Sequence, residues 1–269
     1  MNGYYEHHLA IRKDRLCPFK LAKATDSLSV PCNWHENIEI LLVTGGQGAI
    51  QYGGDALHLE PHDIIIINSG TLHRPYSDTG ISYYYLIIDE EFCKENGLST
   101  SLFRFREQFR DERTEELFID VTRKMNVYRQ LRDALNTAKL RGSVLSLLID
   151  ICSRHTLMED ASKTDNKHGE RYVKQVIDYV NENYAQPITL DTLAAHCGIT
   201  KYHLTREFKR FTGQTVFTYI NLLRCRIAET YLSAGKSVTE SALSSGFESL
   251  SYFSRTYKSL IGVSPSKRK

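Results

Sequence analysis

Apolar residues in the first hundred positions come in short runs rich in β-branched and aromatic side chains, separated by Gly, Pro, Asp and Asn. The pattern predicts strands over Ile38–Val43, Gly48–Tyr52, Ala56–Leu59, Asp63–Asn68 and Ser82–Asp89. Gly45-Gly46 and Gly53-Gly54 fall between runs as turns, the second closing a hairpin. Short strands at this spacing suit a small antiparallel barrel or sandwich. From Thr114 the period changes: Leu117, Val121, Met125 and Tyr128, then Leu140, Val144, Leu148 and Ile151, recur at three or four residues and predict two helices. The polar, aperiodic stretch EDASKTDNKHG, Glu159–Gly169, reads as a linker. Two domains are therefore expected, residues 1–158 and 170–269, the first α+β and the second all-helical.

The C-terminal part repeats itself. Thr200, Leu204, Arg206, Phe208, Lys209 and Gly213 return 49 residues later as Ser249, Phe253, Arg255, Tyr257, Lys258 and Gly262; upstream, Ala194, Gly198 and Ile199 return after 48 as Ala242, Gly246 and Phe247. In each unit a short helix, Leu190–His196 or Val238–Ser245, meets a glycine suited to a left-handed turn. A hydroxyl residue, Thr200 or Ser249, then stands at an N-cap position. Four-residue spacing turns Leu204 and Phe208, or Phe253 and Tyr257, inward. Lys201, Tyr202, Thr205, Arg206 and Lys209 are left outward, a basic face of the kind that enters a major groove. Val216–Ser233 reads as one helix joining the units, roughly 27 Å long at about 1.5 Å per residue. Two reading heads on such a strut can address successive grooves about 34 Å apart.

The stretch LAAHCGITKYHLTREFKRFTG, the linker YINLLRCRIAETYL and the ending GFESLSYFSRTYKSLIGVSP resemble the AraC family of bacterial transcriptional regulators, over about Glu170–Arg268. The resemblance implies that Lys201, Tyr202, Thr205 and Arg206 face bases or nearby phosphates in one groove of double-stranded promoter DNA, with Ser251, Ser254 and Arg255 in the next. Lys209, Ser249 and Lys258 complete that expected surface. Ser241 departs from the family pattern, which has an aliphatic residue there. The family also implies a cupin-like N-terminal barrel that senses a small molecule, often a sugar. HENIE, 35–39, and PHDIIIINSGTLH, 61–73, resemble the two cupin motifs, with Asn33 where metal-binding cupins carry a further histidine. Trp34, His35, Glu39, Tyr52, His73, Tyr83 and Tyr85 are the expected effector-binding set, because aromatic planes with imidazole and carboxylate groups suit a polyhydroxylated ligand.

Charge sharpens this division. Residues 170–269 hold 14 Lys and Arg against 8 Asp and Glu, whereas the whole chain has a net charge of only +2. The basic excess sits where the reading heads are. With 41% hydrophobic and 25% charged residues, wholesale disorder is excluded. No apolar run approaches the ~20 residues of a membrane span, and Met1–Arg15 lacks the apolar core of a secretory signal. A cytoplasmic protein is expected. Six dispersed cysteines without a C-x-x-C pair argue against a zinc knuckle or disulfide framework. No catalytic triad, P-loop or dinucleotide fingerprint is present, so no enzyme activity, metal or cofactor is expected. The alternatives are a metal-dependent cupin enzyme using His35, Glu39 and His73, and a DNA-binding protein without an effector. The leading expectation is an effector-controlled activator, a homodimer that contacts RNA polymerase. Leu145, Leu148, Ile149 and Cys152 would either form its dimer seam or cover the barrel.

Overall fold

The computed structural model describes residues 16–157 and 167–268. The N-terminal readings on Met1–Arg15 and most of the expected linker lie outside them. Strands β1 (Phe19–Ser29), β2 (Ile38–Gly46), β3 (Gly48–Tyr52), β4 (Asp55–Leu59), β5 (Ile64–Ile67), β6 (His73–Ile88) and β8 (Gln108–Phe109) form a nearly closed antiparallel barrel. The sheet order is β4-β3-β6-β2-β5-β8, and β1 also pairs with β6. Gly53 and Gly54 take φ +57° and +107° between the paired Tyr52 and Asp55, which is the tight hairpin the sequence calls for.

The continuous apolar runs arise because both faces of the central strands are covered. Ile38, Ile40, Leu42, Ile64, Ile66, Leu86 and Ile88 face outward onto helices, while Leu41, Val43, Ile65, Ile67 and Tyr83 fill the barrel interior. The helices that cover the outer face are α2 (Glu112–Gln130) and α3 (Ala134–Arg154), which follow the short α1 (Glu90–Glu95). Their apolar stripes, Phe118, Val121 and Met125 against Val144, Leu147, Leu148 and Ile151, join the same core. Asp111 and Asp133 cap them by accepting from the backbone N–H of Thr114 and Asn136. A small ribbon of β7 (Arg104–Phe105) and β9 (Thr156–Leu157) ties the end of α3 back to the barrel.

The C-terminal part is all-helical: α4 (Lys167–Asn183), α5 (Leu190–Cys197), α6 (Lys201–Thr212), α7 (Val216–Ser233), α8 (Val238–Ser244) and α9 (Leu250–Ile261). It has two cores strung along α7. Val176, Ile177, Leu204, Phe208, Tyr219 and Leu223 form the first, and Cys225, Ala228, Ala242, Phe247, Phe253 and Tyr257 the second. The first core also takes in Cys32 and Leu72 from the barrel, so the two parts dock through shared apolar packing. No helix among the described residues is long and apolar enough to cross a membrane.

Candidate functional site

The helix-turn-helix units are built as the repeat implies. Gly198 takes φ +66° and ends α5 in a left-handed cap; Gly246 takes φ +91°, where a Cβ would come within 2.5 Å of the Tyr184 carbonyl oxygen. Thr200 and Ser249 cap α6 and α9 by accepting from the N–H of His203 and Tyr252. On α6, Lys201, Tyr202, Arg206 and Lys209 are exposed, and Thr205 is half-buried with its hydroxyl turned back to the Lys201 carbonyl at 2.9 Å. On α9, Ser249, Ser251, Arg255 and Lys258 are exposed and Ser254 is half-buried. All ten expected DNA-facing residues therefore lie on these two helices or at their caps.

Three features of that surface escaped the sequence reading. Arg206 is tethered by Glu207, which is only 4% exposed, through contacts of 3.0 and 2.9 Å, and Arg210 shares the same carboxylate at 3.2 Å. Lys201 pairs with Asp191 of α5 at 2.8 Å, which clamps the turn. Tyr252, exposed on α9, accepts a hydrogen bond from Asn221 of α7 at 2.8 Å. None of these acidic or aromatic partners is marked by the repeat, because they belong to one unit only.

The second site is a cavity of about 450 Å³ between the barrel and the helical part. β1 and β6 form one wall with Lys20, Ala24, Tyr83, Tyr85 and Ile87; His35, Glu39 and His73 stand deeper; Arg226 of α7 and Leu260 and Ile261 of α9 close the far side. Glu39 Oε2 is the meeting point, 3.0 Å from His35 Nε2 and 3.3 Å from His73 Nε2. Each ring is oriented by its other nitrogen, His35 Nδ1 on the Asn37 carbonyl at 2.8 Å and His73 Nδ1 on the Thr71 carbonyl at 2.9 Å. Burial alone would raise the Glu39 carboxyl, but the hydrogen bonds and charges of His35 and His73 hold it well below the usual carboxylate range. Burial, reinforced by the Glu39 charge, pushes the Tyr85 phenol up to about 12 and raises Tyr83 as well. The donor atoms of His35, Glu39 and His73 lie within 4.8 Å of one another, close enough to share a cation. A second such group, Asp111, Asp150 and His155, is engaged by Arg154 and Thr114 and by stacking of His155 on Phe109 at 3.7 Å, which ties α2 to α3.

Five of the seven expected effector residues line this cavity; Trp34 and Tyr52 do not. The Trp34 indole donates to Asp178 of α4 at 3.2 Å and lies under Lys174 at 5.1 Å, so it belongs to the docking surface between the two parts. Tyr52 is buried in the barrel interior, its hydroxyl donating to the Ile66 carbonyl and accepting from Asn68. The expected dimer seam also changes. Leu148 is fully buried against the barrel and Cys152 half-buried on the same core, whereas Leu135, Ala138, Gly142, Leu145 and Ile149 make the outward stripe of α3.

Residues 21–149 match the AraC-like ligand binding domain, and residues 193–268 match a helix-turn-helix domain. The uncharacterized HTH-type transcriptional regulator YdeC of Bacillus subtilis is 22% identical over 249 residues, covering 88% of this chain and 84% of that one. The HTH-type transcriptional activator AarP of Providencia stuartii is 30% identical over 95 residues, 35% of this chain and 70% of AarP. Among solved structures, ToxT of Vibrio cholerae bound to (E)-4-(8-methylnaphthalen-1-yl)but-3-enoic acid superposes with a TM-score of 0.50 at 15% identity, covering 93% of this chain and 97% of ToxT, which shows a shared two-domain fold. With a ligand-binding barrel joined to two helix-turn-helix units in this order, the chain belongs to the AraC family of DNA-binding transcriptional regulators.

Proposed function

We propose that this regulator is an activator switched by a small polyhydroxylated metabolite held in the cavity between its domains. The observation that carries the reading is that one cavity has walls from both parts: His35, Glu39, His73 and Tyr85 from the barrel, and Arg226, Leu260 and Ile261 from the DNA-reading half. A ligand there touches α7 and α9 directly, so its differential affinity for two docking arrangements becomes a change in DNA affinity. Glu39 and the tyrosine hydroxyls offer acceptors and donors for a sugar's hydroxyls, and Tyr83 and Tyr85, with centroids 6.4 Å apart, offer aromatic faces.

In this reading Lys201, Tyr202, Thr205 and Arg206 serve one major groove and Ser251, Ser254 and Arg255 the next, with Lys209, Ser249 and Lys258 near phosphates. Residues 1–158 form the sensing and dimerising domain and the reader begins with α4 at Lys167, three residues inside the expected linker 159–169. The outward stripe of α3, Leu135, Leu145 and Ile149 around Ala138 and Gly142, suits self-association because small residues let a second helix approach closely. RNA polymerase is the further partner of an activator, and the cytoplasm its compartment. The test is a sugar panel read by melting temperature and by gel shift on the protein's own upstream DNA. A true effector raises the first, as RT ln(1 + [L]/Kd) requires, and changes the second. A sugar that stabilises without altering DNA binding, or a panel with no effect on either, overturns the sugar-switch reading.

A further inference from the structure

Lys20 and Glu39 both pair with Ile87, one from β1 and one from β2, on either side of β6. Residues directly opposite in antiparallel strands share a face, so Lys20, Ile87 and Glu39 form one row across the cavity wall. Lys20 is half-buried there, with its Nζ 5.4 Å from the centre of the Tyr85 ring. Among the described residues its ammonium makes no hydrogen bond or ion pair. An ammonium withdrawn from water and given only an aromatic face is short of acceptors.

The nearest carboxylate in the row, Glu39, is already taken by the histidine pair. Each ring directs Nδ1 at a backbone carbonyl and Nε2 at Glu39 Oε2. Glu39 Oε2 is therefore engaged within this group. Among the described residues, no other charged group of the lining pairs with Lys20. Asp26 is exposed at the rim, Lys23 turns outward over Tyr84 at 5.3 Å, and Arg226 pairs with Glu229 at 2.8 Å. Tyr83 and Tyr85 are held neutral by burial.

We infer that the effector carries a carboxylate or phosphate group and that Lys20 receives it, so that the cavity selects an acidic sugar derivative over its neutral parent. The inference rests on the reading of the cavity as the effector site and narrows the ligand's chemistry. It also sets a proton balance. Desolvation lowers the Lys20 amine to about 8, against the upward pull of Glu39. An anion seated beside it raises that value again, so binding near pH 8 takes up protons.

The experiment uses the full chain with matched probes: glucose against glucuronate and glucose 6-phosphate, and galactose against galacturonate. Melting temperature and titration calorimetry in buffers of different ionisation enthalpy are read at low salt. An acidic member is expected to bind where its neutral parent does not, with the uronates and the phosphate distinguishing the two anion types. Proton uptake should accompany binding at pH 8. Lys20→Met should weaken the acid by about ten- to hundred-fold while Lys20→Arg retains it. Ile261→Trp, which fills the far wall of the cavity, should abolish binding of every probe. Equal binding of acidic and neutral members, undiminished acid binding by Lys20→Met, or silence of every acid at millimolar concentration overturns the proposal. If a neutral sugar binds and Ile261→Trp removes it, the cavity remains the effector site and only the anion is wrong. If an acid binds but Ile261→Trp leaves it unaffected, the anion lies outside the cavity and both readings fall.

Discussion

Arg206 and Lys209 share the outer face of α6 but differ in what holds them. Arg206 is fixed by the buried Glu207 carboxylate, which orients its guanidinium, whereas Lys209 is exposed a turn later. An oriented fork suits bidentate recognition of guanine, and a mobile ammonium suits phosphate. Arg206→Ala is therefore expected to cost ~1–3 kcal/mol of discrimination between matched and scrambled sites. Lys209→Ala should weaken both alike and flatten the salt dependence. Gel shifts across a salt series check this, and equal behaviour of the two variants would refute the assignment. Ser241 tests packing in the other unit. Its hydroxyl is fully buried and, among the described residues, finds no hydrogen-bond partner, in a position where the family carries an apolar group. Ser241→Ala should stabilise the chain by about 1 kcal/mol, seen as a melting temperature roughly 2–4 °C higher. Glu39 gives the pH dependence. Its carboxyl is held below its ordinary value of 4.5, so its stabilising contribution is complete above that pH and fades as acid protonates it. Glu39→Gln should flatten the fall of melting temperature below about pH 4.5; an unchanged slope would mean that other carboxylates carry it.

At the scale of elements, periodicity was most informative where one face of a segment meets one core. α7 spans Val216–Ser233 as its apolar spacing implies, and both recognition helices begin at the hydroxyl caps. β1 was not legible. Its interior face carries Lys20, Ala22 and Ala24 where a core strand would carry large apolar groups, so FKLAKATDSLS reads as polar. The physical reason is the cavity, which the small residues leave open and the lysine lines. The exposed face of α3, proposed as a dimer seam, was half legible: period alone places Leu148 and Ile149 side by side, and only the fold decides that Leu148 is buried while Ile149 is 52% exposed. Ile149→Arg should convert a dimer to a monomer by sedimentation with the melting temperature nearly unchanged. Leu148→Ala should instead destabilise by ~2–5 kcal/mol. A dimer that survives Ile149→Arg places the interface elsewhere.

How the two halves sit on each other has no periodic signature, and here the sequence was silent. Trp34 reads as a pocket aromatic because it lies beside His35, yet its partner Asp178 is 144 residues away. Arg74 follows His73 in β6, and its Nε donates to the Thr212 carbonyl at 3.0 Å, at the end of α6. The neighbouring Gly213 takes φ +69°, which favours glycine, and a Cβ there would stand 2.9 Å from the Arg74 guanidinium and push it aside. A residue that lines the cavity and the residue that grips a recognition helix are thus adjacent in one strand. Under the proposed function, movement of His73 on ligand binding would pass to α6 through a single peptide unit, beside the apolar contact of Cys32 and Leu72 with the helical core. Arg74→Ala should keep effector binding, because Arg74 does not line the cavity, and keep DNA binding, because the reading face is untouched. What should collapse is the influence of one on the other, typically 1–3 kcal/mol or about five- to 150-fold in affinity. Trp34→Phe, which keeps the ring and loses the bond to Asp178, should weaken the coupling in the same direction by less. The measurement is DNA affinity with and without effector for each variant. Should Arg74→Ala respond as the wild type does, the signal travels through Arg226, Leu260 and Ile261 on the opposite wall instead.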